Sequence, residues 1–141
     1  MMKKLFVLAL SALMLCASLA GCSAAPAGEG EGAKIRIGII QPMEHTSLTQ
    51  IRQAILARFE ERGVGDQIEI LYKDAQGDPG NITTIVNQFV GDRVDYIIPI
   101  ATGPAQAAAA ATRDIPIVFA AVSYPVDAGL VTANDRTDRC V

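Results

Sequence analysis

The sequence predicts an open, parallel α/β sheet with helices against its faces. Three observations carry that prediction. Short runs rich in β-branched residues recur along the chain. Stretches with apolar residues at helical spacing separate them, and Gly, Pro and Asp gather at the junctions. Strands that alternate with single helices pair in parallel through right-handed crossovers.

The elements follow in order. Lys34 to Ile40, KIRIGII, is a β-branched run with Ile35, Ile37 and Ile39 on one face. Ser47-Leu48-Thr49-Gln50 matches a capping box and predicts Ser47 as the N-cap of a helix. Leu48, Ile51, Ile55 and Phe59 give that helix its apolar face, and Arg62-Gly63 its stop. Ile68 to Tyr72 is a second strand, and Asp74 to Gly80, DAQGDPG, is turn chemistry. Ile82, Ile85, Val86, Phe89 and Val90 form the stripe of a second helix. Asp95 to Ile100, DYIIPI, is apolar on both faces and so central, with Pro99 near its end because proline donates no hydrogen bond. Thr102-Gly103-Pro104 opens a thin, alanine-rich third helix, and Ile115 to Val122, IPIVFAAV, is a fourth strand. A flavodoxin-like order 2-1-3-4 places the two least polar strands inside the sheet.

Not all 141 residues belong to this sheet. MMKKLFVLALSALMLCASLAGCS has a charged start, an apolar run and small residues, the pattern of a secretory signal over residues 1–21. Its ending, Leu19-Ala20-Gly21-Cys22, resembles the bacterial lipobox, which implies that Cys22 carries lipid and anchors the protein outside the cytoplasm on the cell membrane. Residues 22–33 are small, Gly-rich and acidic and read as a flexible tether. The α/β lobe spans 34–131. Residues 132–141, TANDRTDRCV, leave the pattern and read as a truncated or frameshifted tail.

Cys16 leaves with the leader and Cys22 is lipidated, so only Cys140 remains and no disulfide or metal-spacing cluster is expected. Loss of Lys3 and Lys4 takes the formal net charge from −3 to −5, which argues against nucleic acid as a partner.

In such sheets ligands bind beyond the carboxyl ends of the strands. Four segments meet there: Gln41 to Ser47, Asp74 to Gly80, Ala101 to Gly103, and Val122 to Asp127. Helix starts at Ser47 and Thr102 would offer free N–H groups to a carboxylate or phosphate. His45, the only histidine, has too few neighbours for a metal site. The chain has no G-x-S-x-G elbow, no G-x-G-x-x-G after Ile40 and no phosphate-binding P-loop, so no nucleophile or nucleotide cofactor is expected.

KIRIGIIQPMEHTSLTQIRQAI, ATGPAQAA and IPIVFAAVSYPVDAGLV, together with the lipobox, resemble the ABC-transporter substrate-binding protein family that includes tryptophan- and tyrosine-type binding lipoproteins. The resemblance implies one lobe of a type I periplasmic-binding-protein fold. It implies a small ligand, an amino acid or similar with aromatic ones included, closed between two lobes and delivered to a membrane permease. It implies no enzyme activity and no cofactor. By position, the cleft wall would include Glu44, His45 and Ser47, then Thr102 and Gln106, then Ser123, Tyr124 and Pro125. The family commonly has Asp-Pro where this chain has Tyr124-Pro125, so a carboxylate that could receive an ammonium is missing. Two readings from other classes stay open here: a small exported enzyme using His45 as general base, and a tethered interaction module without ligand.

Overall fold

The computed structural model describes residues 33–132. The leader, Cys22, the tether up to residue 32, and residues 133–141 with Cys140 lie outside the described residues. The element order is β1 (Ile35–Gln41), α1 (Thr46–Glu61), a short 3-10 turn (Gly65–Gln67), β2 (Ile68–Asp74), α2 (Pro79–Gly91), β3 (Tyr96–Pro99) and α3 (Thr102–Ala111). The sheet is parallel in the order β2-β1-β3.

The expected fourth strand runs beside β3 but is reduced to two parallel bridges, Ile97 with Ile117 and Ile100 with Ala120. The physical reason lies in the neighbouring strand. Ile97 N–H donates to Pro116 O and Val118 N–H to Ile97 O, as a parallel ladder requires. The next bond would run from residue 99 to Val118 O, and Pro99 has no N–H to give. Pairing resumes only with Ala120 N–H to Pro99 O and Ala101 N–H to Ala120 O. The order 2-1-3-4 is thus kept, with its last member interrupted.

Side chains alternate across the sheet and build two cores. On one face Ile37, Ile39, Ile98 and Ile100 meet Leu48, Ile51, Ile55 and Phe59 of α1. On the other, Ile40 and Ile97 meet Ile85, Val86 and Phe89 of α2 and Ala108 of α3. Ile98 and Ile97 therefore serve opposite cores, which is why β3 is apolar on both faces. A third cluster joins Leu130 and Val131 to Ala105 of α3. Toward the amino ends of the strands, on the α1 face, an apolar cavity of about 430 Å³ is lined by Ile35, Ile68, Tyr96, Ile98 and Val118 among others. It lies at the opposite end of the sheet from the edge where ligands bind in such folds.

The helix ends follow local chemistry. Asp78 caps α2 by accepting from the N–H groups of Gly80 and Asn81, with Pro79 in the first turn. Arg62 closes α1, and Gly63 at φ 66° turns the chain away. The cap of α1 differs from the capping-box expectation. His45, not Ser47, is the N-cap, and its Nδ1 accepts from the Ser47 N–H at 3.3 Å.

Gly38 of β1 lets the Phe89 ring pack directly against the strand backbone. A Cβ there would lie 2.7 Å from Cδ2 of Phe89. Gly38→Ala is expected to destabilise the lobe by about 1–3 kcal/mol through overpacking. The Gly38→Ala/Phe89→Leu double variant should recover part of that loss in urea unfolding; an additive double variant would mean that the two residues do not share the strain.

Candidate functional site

The carboxyl ends of the strands are stitched together by backbone. Ala75 N–H donates to Gln41 O and Gly77 N–H to Pro42 O, which ties the loop after β2 to the loop after β1. Ile100 N–H donates to Ile40 O, and Ala101 N–H to Ala120 O, which brings in the loops after β3 and the fourth segment. The Asp74–Gly80 turn is held from within. Asp74 Oδ1 accepts from Gln76 N–H at 2.7 Å, and Asn81 Nδ2 donates to Ala75 O at 3.2 Å.

Glu44 and His45 stand on this edge, where the chain leaves β1 and enters α1. With Thr46, Thr49, Gln50 and Gln53 they line an open polar depression of about 560 Å³. Glu44 Oε1 accepts from Thr49 Oγ1 at 3.0 Å. Thr49 Oγ1 in turn accepts from Nε2 of Gln41 at 3.4 Å. Ser47, in the first turn of α1, is exposed and has its N–H turned to His45. The free donors of this helix start are therefore partly used by the protein itself.

The other expected wall residues are at the same edge but not around that depression. Thr102 opens α3, half-buried, behind the N-cap Ala101. Gln106 is exposed and spends its Nε2 on Ala128 O at 3.2 Å, bracing α3 against the turn after the fourth segment. Ser123 and Tyr124 are exposed, Tyr124 to 74%, and Pro125 is half-buried. The turn they begin closes through Ala128 N–H to Tyr124 O and Leu130 N–H to Pro125 O. Tyr124 thus presents a bare aromatic ring at the edge.

Three residues escape sequence reasoning. Gln41 is buried at the inward position that follows Ile37 and Ile39, a polar break in an apolar alternation. Arg52 lays its guanidinium 4.0 Å from the ring centroid of Tyr72, while its Nε is buried without a hydrogen-bond partner among the described residues. Tyr72 donates to Asp74 Oδ2 at 3.4 Å. Burial raises its phenol pKa above the usual 10.0; Arg52 lowers it, and Asp74 and Glu44 add smaller upward pushes. Among the described residues, no group of three or more His, Cys, Asp and Glu could hold a metal ion.

The edge also collects backbone strain. Gln76 (φ 56°), Ala101 (φ 79°) and Ala121 (φ 56°) lie in these loops, and each is a non-glycine residue at positive φ. Ala101, at ψ 166°, occupies a region used almost only by glycine, at a cost of about 1–3 kcal/mol. Ala101→Gly is expected to raise stability by about 1 kcal/mol despite glycine's greater unfolded-state entropy. Thermal unfolding checks this; a lower midpoint would mean that the methyl packing outweighs the strain.

Comparison with known proteins agrees with this fold. The model of the family described as ABC transporter substrate binding protein matches residues 36–141. A curated tyrosine-binding protein of Clostridioides difficile is 38% identical over 134 residues, covering 92% of this chain and 39% of its own length. A ligand-free, open substrate-binding protein with adhesive properties from Clostridium difficile superposes with TM-score 0.67 at 42% identity, over 70% of this chain and 34% of that one. A Streptococcus pneumoniae domain solved with L-Trp superposes with TM-score 0.69 at 35% identity, over 71% and 34%. This chain therefore spans about two fifths of the length of the curated relative. The fold is one lobe of the type I periplasmic-binding-protein architecture. The matched relatives are substrate-binding proteins and not enzymes. By its sequence match over residues 36–141, the chain belongs to the ABC transporter substrate-binding protein family.

Proposed function

We propose that this chain forms the N-terminal lobe of the extracytoplasmic solute-binding component of an ABC importer. Its ligand would be an amino acid with an aromatic side chain, passed on to a membrane permease. The observation that carries this is the Glu44–His45 depression at the carboxyl edge of the sheet, in a family whose relatives include a tyrosine-binding protein and a domain solved with L-Trp. Glu44 and His45 would orient the ligand's polar groups. The first turns of α1, with Ser47, and of α3, with Thr102, would face its carboxylate. Gln106, Ser123 and Pro125 would complete the wall, with the exposed Tyr124 ring stacking on an aromatic ligand. With tyrosine at 124, Glu44 is the carboxylate among these wall residues that could receive an ammonium.

One lobe binds weakly by simple arithmetic. If a two-lobed relative holds ligand at about 1 μM, near −8 kcal/mol, an even split leaves about −4 kcal/mol, or about 1 mM. An NMR titration of this chain with L-tryptophan should then show saturable shifts at the Glu44, His45 and Thr102 amides, with a midpoint near 1 mM. Absence of shifts, or equal shifts with a neutral sugar, would refute the ligand assignment.

Residues 1–21 act as a lipoprotein signal in this reading, and Cys22 as the anchor. Cells expressing the chain should incorporate labelled palmitate into it, and Cys22→Ser should abolish the label. Persistent labelling of the Cys22→Ser variant would exclude Cys22 as the lipidated residue.

A further inference from the structure

Gln41 is the one polar residue buried in the core among the described residues, at 0% exposure. It lies at the end of β1, where strand, loop and helix meet. Its Nε2 donates to Met43 O at 2.7 Å and to Thr49 Oγ1 at 3.4 Å. A carbonyl oxygen can only accept, so the amide cannot turn over without losing the shorter bond. Its Oε1 is thereby held in a place where it finds no donor among the described residues.

A buried acceptor without a partner weakens the folded state. Methionine, of similar length and without that acceptor, would fill the same place at lower desolvation cost. What the amide supplies instead is orientation. A hydroxyl has one proton to give. Because Gln41 donates to Thr49 Oγ1, the Thr49 proton is free for Glu44 Oε1, where it makes its 3.0 Å bond. The other bond holds the Met43 carbonyl, one residue before Glu44. Thr49 is also tied to the loop by its backbone, N–H to His45 O at 2.9 Å. One buried amide thus sets the loop, the first turn of α1 and the carboxylate together.

We propose that Gln41 is a positioning residue of the ligand site, acting through Thr49 and the Met43 carbonyl to hold Glu44 in place. The proposal rests on the functional reading above, and its test separates the two. In the ligand-free chain, the couplings of the Thr49 γ-methyl report its χ1 rotamer, and titration with L-tryptophan reports the site.

Gln41→Met is expected to fold with an unfolding midpoint equal to or above that of the parent. Its Thr49 side chain should average over rotamers, and its L-tryptophan binding should weaken about 3- to 10-fold, the worth of one hydrogen bond. Thr49→Val cuts the relay one step later with Gln41 intact and should weaken binding similarly. A single Thr49 rotamer in Gln41→Met, or unchanged binding in Thr49→Val, would overturn the proposal. If the parent chain binds no L-tryptophan, the ligand assignment fails on its own, while the Thr49 rotamer in Gln41→Met still decides whether the amide positions the relay.

Discussion

The seat of Phe89 against the bare backbone of Gly38 sets the spacing on which this lobe depends. A central strand of a parallel sheet is covered on both faces, and the depth of each helix layer follows from the smallest residue beneath it. Gly38 lets α2 sink onto β1, and the alanines of α3 let that helix lie close beside it. Because α2 and α3 begin at the carboxyl edge, their depth decides where the loops after β2 and β3 stand. The core is therefore what places the edge, and the edge is where polar chemistry gathers.

At that edge the protein gathers several costly features. Three non-glycine residues at positive φ, a buried amide oxygen without a donor and a buried guanidinium nitrogen without an acceptor lie in or next to the loops that bound it. Such features persist only where the surrounding structure over-determines them. Here the two isoleucine-rich cores below supply that support. The polar groups are coupled in two short chains, Gln41–Thr49–Glu44 on one side and Arg52–Tyr72–Asp74 on the other. Both rise from α1 and its neighbouring strands, so movement of α1 would alter both.

Much of this was readable from residues. Short apolar, β-branched runs marked β1, β2 and β3, and the 3.6-residue stripe of Ile82 to Val90 marked α2, because burial leaves a direct mark on composition. The limits have local causes. His45, Thr46 and Ser47 are consecutive, and each side chain can accept a hydrogen bond, so the pattern S-x-x-Q could not tell which one caps α1. The fourth segment has the right composition for a strand, yet its ladder fails at a bond that Pro99, in a different element, cannot make. Pairing is a property of two segments, and the composition of one does not show it. Gln41 was hidden for a similar reason: its burial shows only once Ile37 and Ile39 are known to point at α1. Gln106 was named from the family resemblance alone; its bond to Ala128 O, 22 residues away in sequence, is a contact that no local pattern shows.

The interruption at Pro99 reaches beyond this sheet. An outermost strand with an unbroken row of free N–H and C=O groups is a template on which another chain can pair, and long flat edges of that kind seed aggregation. Among the described residues, the segment beside β3 is pinned at only two bridges, Ile97 with Ile117 and Ile100 with Ala120. A segment held at two points makes a ladder too short and too irregular to serve as such a template. The same missing N–H that interrupts the pairing leaves little regular strand on this side for another chain to extend.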